Sequence, residues 1–157
     1  MTADHLLIAV HGWLLSRHVW APFAAGWARQ HPEIELWCPD LPGFGDAPRP
    51  SGLLPNLASY GRWLAEASIH RAQGRPFVLM GHSLGGSVVL HAEAELRRQQ
   101  RSNLCGVVQL AAGGGIYQPR PFRRLRSLGN LILQLRPDGL GRWPAPIGSL
   151  GPFLSLI

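Results

Sequence analysis

Short apolar runs alternate with segments of helical periodicity from the N-terminus to Leu110, and this alternation constrains the fold more than any other feature. Leu6-Leu7-Ile8-Ala9-Val10 is an unbroken apolar run, the mark of a strand buried on both faces. Trp20, Phe23, Ala24 and Trp27 then recur at helical spacing. Glu35-Leu36-Trp37-Cys38 reads as a second strand, closed by Pro39. Asn56 is placed to cap a helix that carries Leu57, Tyr60, Leu64 and Ala67 on one side. Phe77-Val78-Leu79-Met80 is a third strand, and a helix over 84–99 aligns Leu84, Val88, Ala92 and Leu96. Val107-Val108-Gln109-Leu110 is a fourth strand, ended by Gly113-Gly114-Gly115. Strand–helix alternation of this kind implies an α/β fold, a mostly parallel sheet with helices on both faces. In such sheets ligands meet the carboxyl ends of the strands, and each motif of interest lies at one.

Gly81-His82-Ser83-Leu84-Gly85 fits G-x-S-x-G and stands between a buried strand and an amphipathic helix, the context that motif requires. A sharp strand-to-helix turn strains the serine backbone and lifts its hydroxyl above the sheet. Gly81 and Gly85 let strand and helix approach, and Gly86 adds room. The positive end of the helix dipole lies beneath the serine. Ser83 is therefore the candidate nucleophile rather than part of an ordinary glycine-rich turn. His11-Gly12-Trp13 follows the first strand. Acyl transfer to a serine needs two N–H donors aimed at the developing oxyanion. The backbone N–H groups of Leu84 and Trp13 are the candidates. Gly12 lets the loop come close, and His11 reads as its hydrogen-bonding brace. His82 should point away from the serine. Asp40-Leu41-Pro42-Gly43-Phe44-Gly45 is a rigid turn after the second strand, with Asp40 a turn-former rather than a catalytic acid.

Other classes of function find little support. A chain of 157 residues holds one domain, and 46 % hydrophobic with 15 % charged residues is the balance of a globular protein. The net charge of +6 comes entirely from arginine. The densest basic stretch, Arg120, Arg123, Arg124 and Arg126, lacks the aromatic ladder that nucleic acid would need. Cys38 and Cys105 sit in apolar strands without CxxC spacing, so buried thiols are expected, with no metal site and no cofactor. No basic n-region precedes the first strand and no apolar run reaches membrane-spanning length, which points to the cytoplasm. The Leu-lined, Arg-rich segment 120–136 has a second reading, an amphipathic helix on an anionic membrane.

The three motifs in this order, "HGWLLSRHVW", "DLPGFG" and "GHSLGG", resemble the α/β-hydrolase superfamily over residues 5 to about 112. The likeness is strongest to its small, helically capped esterases and lyases. That group includes pimeloyl-ACP methyl ester carboxylesterases and the menaquinone-pathway synthase that forms a cyclohexadiene carboxylate by elimination. The resemblance implies Ser83 as nucleophile, Leu84 and Trp13 as oxyanion donors, and a small-molecule or acyl-carrier ester or thioester as substrate, with elimination by a lyase of the same fold in quinone biosynthesis, using the same serine, as the alternative. It implies a division into core residues 1–115 and the start of a helical cap at 116–157. Ala47 stands where the family often has serine.

The resemblance also exposes an absence. The superfamily orders its triad as serine, acid, histidine. After Ser83 this sequence has one histidine, His91, and one aspartate, Asp138. His91 lies eight residues along the helix, about 12 Å from its start, beyond the roughly 3 Å reach of a general base. Asp138 falls in the cap-like segment. The expected fold is thus an incomplete α/β-hydrolase, truncated within its cap, with a serine nucleophile, no identifiable triad acid or base, and little activity alone. The apolar Phe153–Ile157 at the end would lack a partner layer.

Overall fold

The computed structural model describes residues 3–100, 103–112 and 127. The elements run β1 (His5–Val10), a 3-10 turn (Arg17–Trp20), α1 (Ala21–Gln30), β2 (Ile34–Trp37), α2 (Leu57–Ala72), β3 (Phe77–His82), α3 (Leu84–Arg98) and β4 (Leu104–Leu110). The four strands form one parallel sheet in the order β2-β1-β3-β4. The chain moves outward from β1 to β2, then crosses back to place β3 on the other side of β1. The connections after β1 and β3 consequently run to opposite sides, so the switch point of the sheet lies between these two neighbouring strands.

Alternation along the strands sorts side chains onto two faces. Leu6, Ile8, Val10, Phe77 and Leu79 pack with Leu64, Ala65, Val88, Val89, Ala92 and Leu96 of α2 and α3. Leu7, Ala9 and Met80 face the other way, against Trp20 and Trp27. The expected helices on both faces are therefore present. Burying each large aliphatic side chain of this kind contributes roughly 1.5–3 kcal/mol, so β1, apolar on both faces, anchors both layers.

The helix boundaries follow from local chemistry. Asn56 adopts an extended conformation and its side chain accepts a hydrogen bond from the Ser59 N–H at 2.8 Å, which starts α2 at Leu57 as expected. Gln73 ends it in the left-handed region, φ 50°. Where α2 crosses α3, a Cβ on Gly61 would stand only 2.5 Å from the Cβ of His91, so glycine sets the approach of the two helices.

Two strands extend beyond their apolar cores. β3 continues through Gly81 and His82 into the motif itself, because those residues pair with Gln109 and Leu110. β4 begins at Leu104 rather than Val107. The cysteines are less buried than their apolar neighbours suggest: Cys38, just past the end of β2 rather than within it, is only partly buried, and Cys105 is exposed. β4 is the edge of the sheet among the described residues, and its side chains alternate without a second layer over Cys105. The cap-like segment 116–157 apart from Ser127, the rest of the proposed membrane helix 120–136, Asp138 and the apolar 153–157 lie outside the described residues. Among the described residues, no helix is long and apolar enough to cross a membrane, and no group of three or more His, Cys, Asp or Glu is placed to hold a metal ion.

Candidate active site

Ser83 occupies the single residue between β3 and α3, at φ 52° and ψ −117°. That backbone region is costly for a residue with a side chain, of order 1–3 kcal/mol, and persists only where surrounding structure enforces it. Serine at a helix N-terminus ordinarily turns its oxygen back to cap the helix. Here no side-chain capping bond forms, because the extended conformation that capping requires is not adopted. The Ser83 hydroxyl has no hydrogen-bond partner among the described residues.

Three contacts enforce the strain. The Ser83 N–H donates to the carbonyl of Leu110 at 3.0 Å, and the Gly86 N–H donates to the carbonyl of Ser83 at 3.0 Å. The Gln109 side-chain amide donates to the Gly86 carbonyl at 3.1 Å. The flanking glycines are sterically required. A Cβ on Gly81 would overlap the backbone of Gly85 and Gly86. One on Gly85 would overlap the carbonyls of Val10 and His11, and one on Gly86 the side chain of Ala112. The elbow is thus wedged between the ends of β1 and β4. The share of Gln109, Leu110 and Ala112 was missed in the sequence, since a carbonyl and a methyl group carry no motif; the small residues Ala111-Ala112 after an apolar strand were the available signal.

The loop after β1 reaches the same place. A Cβ on Gly12 would lie 3.2 Å from the Cβ of Ser83 and 3.3 Å from His82 Nδ1. Trp13 follows within a tight turn in which the Leu15 N–H donates to the Gly12 carbonyl at 3.3 Å, and Leu14 takes a positive φ of 61°. Leu84 is the first residue of α3, so its N–H is one of the helix donors without an intrahelical acceptor. Among the described residues neither the Trp13 nor the Leu84 N–H is taken up by another group. The fold brings Gly12, and with it the loop that leads into Trp13, against Ser83 at the head of α3, beside the paired ends of β1 and β3.

His11 is fully buried. Its Nδ1 donates to the Gly12 carbonyl at 2.8 Å and its Nε2 accepts from the Leu41 N–H at 3.0 Å. Burial pushes its pKa below the ordinary 6.5, outweighing the opposing effects of the Gly12 carbonyl and of Asp40. A neutral imidazole with both nitrogens occupied braces the loop and has no lone pair to offer Ser83. His82 Nδ1 lies against Gly12, buried and unpartnered among the described residues. His91 is exposed on α3, beside α2. No histidine–carboxylate pair among the described residues is placed to activate Ser83.

Asp40 does more than shape its own turn. Its side chain is 2 % exposed. Oδ1 accepts from the Arg17 backbone N–H at 2.6 Å. Oδ2 accepts from the Arg17 guanidinium at 2.8 Å and from the Asp46 N–H at 3.1 Å.

A parallel sheet with a strained serine between strand and helix, set at the switch in strand order, defines an α/β-hydrolase arrangement. The model of the alpha/beta hydrolase family matches residues 7–155, and the chain belongs to that family. It is 32 % identical over 107 residues to the biotin biosynthesis bifunctional protein BioHC of Cellvibrio japonicus, a match covering 68 % of this chain and 18 % of that protein. Among solved structures it is similar to MenH from S. aureus, with 16 % identity and a TM-score of 0.62, covering 99 % of this chain and 62 % of that one. It is similar also to naproxen esterase from Bacillus subtilis, with 21 % identity and a TM-score of 0.62, covering 90 % of this chain and 46 % of that one. The two structural likenesses concern the fold. The chain spans less than two thirds of the length of each of these proteins.

Proposed function

We propose that Ser83 is the nucleophile of a hydrolase acting on a carboxylic ester or thioester. The observation that carries this reading is the conformation of Ser83. Its backbone is held at a strained φ and ψ at the head of α3, with the hydroxyl left unused by the helix it begins. Strain of this kind is retained where it aims a side chain. Proximity of Gly12 to Ser83 supports the reading, because it brings the loop that carries the Trp13 N–H beside the head of α3, where the Leu84 N–H begins the helix.

In the proposed reaction Ser83 Oγ bonds to the substrate carbonyl carbon and its proton passes to a general base. The Trp13 and Leu84 N–H groups hold the resulting oxyanion. The intermediate collapses as the C–O or C–S bond breaks, and the leaving alkoxide or thiolate takes the proton. Water then adds to the acyl-serine and releases the acid. On this reading the described residues offer a nucleophile and two oxyanion donors without a base beside them, and these 157 residues are expected to turn over substrate weakly. An oxyanion hole and binding alone give roughly 10³-fold over water.

The test supplies the base from solution. The purified chain, incubated with an alkyl fluorophosphonate in imidazole buffer, should acquire one phosphonyl group on Ser83, with fluoride leaving and the serine proton passing to imidazole. Peptide mass spectrometry reads the site. Ser83→Ala should remain unmodified. Absence of modification, or modification spread over other serines, would overturn the reading.

A further inference from the structure

We propose that Asp40 is a positioning residue for the Trp13 N–H, acting by fastening the loop after β1 at its far end. The proposal rests on the reading of Ser83 as nucleophile and adds what holds one of its oxyanion donors in place.

The segment 12–16, which carries Trp13, is tied at both ends to the loop after β2. Upstream, His11 Nε2 accepts from the Leu41 N–H at 3.0 Å. Downstream, the Arg17 N–H donates to Asp40 Oδ1 at 2.6 Å. Asp40 and Leu41 are adjacent, so both ends of the segment are fixed to a single short stretch of backbone. Between them Leu14 has φ 61°, a conformation that a leucine keeps only when its surroundings compel it.

Asp40 is built for this load. A turn-former needs one bond to its own turn, and the Asp46 N–H provides it at 3.1 Å. The other two donors come from Arg17, 23 positions earlier in the chain. Arg17 also reaches Asp46 Oδ2 at 2.8 Å, so guanidinium and carboxylate close a ring across the two loops. Gly45, at φ +54°, leaves no space between its Cα and the Asp40 carboxyl, which a Cβ would overlap. The 40–46 turn is therefore wrapped on the carboxylate itself. A buried carboxylate that accepts from two backbone N–H groups and a guanidinium forms charge-assisted bonds, about twice as strong as neutral ones. An asparagine at this position would present an NH₂ to one of those donors.

The experiment compares the purified chain with Asp40→Asn and with Arg17→Gln in the fluorophosphonate reaction in imidazole buffer, following both the rate at saturation and the final labelled fraction. Loss of folded protein lowers the labelled fraction. Displacement of an oxyanion donor lowers the saturating rate while leaving half-saturation and the final fraction unchanged. Asp40→Asn should slow the saturating rate tenfold or more, given that a displacement of about 1 Å can cost about 100-fold. Arg17→Gln keeps the backbone N–H bond and loses the half-exposed guanidinium pair that steadies Asp40, so it should slow the rate by about two- to fivefold. Amide exchange at residues 13–15 should rise in Asp40→Asn.

An unchanged saturating rate in Asp40→Asn, with labelling of wild type intact, would overturn the positioning role and leave the nucleophile reading standing. Wild type that never labels would overturn both. Should Asp40→Asn fail to fold, Arg17→Gln decides: a fall in saturating rate without a fall in labelled fraction supports the proposal, and no fall overturns it.

Discussion

A Cβ placed on Gly12 would stand 3.2 Å from the Cβ of Ser83, so the loop after β1 and the serine elbow are in contact across the switch point of the sheet. That distance is tight but short of overlap. Gly12→Ala should therefore fold with near wild-type stability, while the loop moves by a few tenths of an ångström. Since Trp13 follows directly, phosphonylation of Ser83 should slow, by about tenfold on the sensitivity of such sites to small displacements. A urea titration beside the labelling rate checks both halves of the expectation.

Gly85→Ala should behave differently. Its new Cβ would overlap the carbonyl oxygens of Val10 and His11, and backbone cannot rotate aside as a side chain can. Overpacking of this sort costs about 1–3 kcal/mol or more. The variant should lose stability to that extent in urea, with Ser83 reactivity falling as the elbow is forced off the end of β1.

Acid should weaken the fold through His11. Burial holds its native pKa below 6.5, whereas the unfolded chain takes up the proton near the ordinary value. The unfolded state therefore binds more protons as pH falls below about 6.5. The stabilisation is fully present above the unfolded pKa, declines as pH drops beneath it, and is spent once pH passes below the native pKa. Protonation would also put a hydrogen on Nε2, opposite the Leu41 N–H that now donates to it. Urea midpoints at pH 8 and pH 5.5 should differ in wild type, and the His11 part of that difference should vanish in His11→Gln.

Asn56→Ala removes the acceptor for the Ser59 N–H at the start of α2. Loss of a capping side chain typically costs about 0.5–2 kcal/mol. The capping bond involves neither Ser83 nor the Gly12 loop, so stability should drop by about that amount while the labelling rate of folded protein is unchanged.

The sequence made the alternation of elements plain because β1 is apolar without a break from Leu6 to Val10 and the helices repeat their apolar residues at fixed spacing. The elbow was legible for a related reason: Gly81, Ser83 and Gly85 are imposed by close approach, and such steric needs leave a mark in residue type. What stayed hidden was contact made by backbone. The Leu110 carbonyl that receives the Ser83 N–H could belong to any residue type. Asp40 illustrates the same limit. Its place in a turn was visible, but its bonds to Arg17 depend on β1 and β2 lying side by side, and sequence spacing does not show that. Cys105 was misplaced because apolar neighbours suggested burial, while β4 stands at the edge of the described sheet.

The bond from Ser83 to Leu110 also sets an order of events during synthesis. Chains emerge N-terminus first, and β1, β2 and β3 are all available before β4 is made. Until Leu110 has emerged, the amide of Ser83 lacks its acceptor and the elbow lacks the strand that wedges it. A nascent chain stalled short of that residue would carry Ser83 in a relaxed turn, and the strained conformation would be reached only as the fourth strand docks.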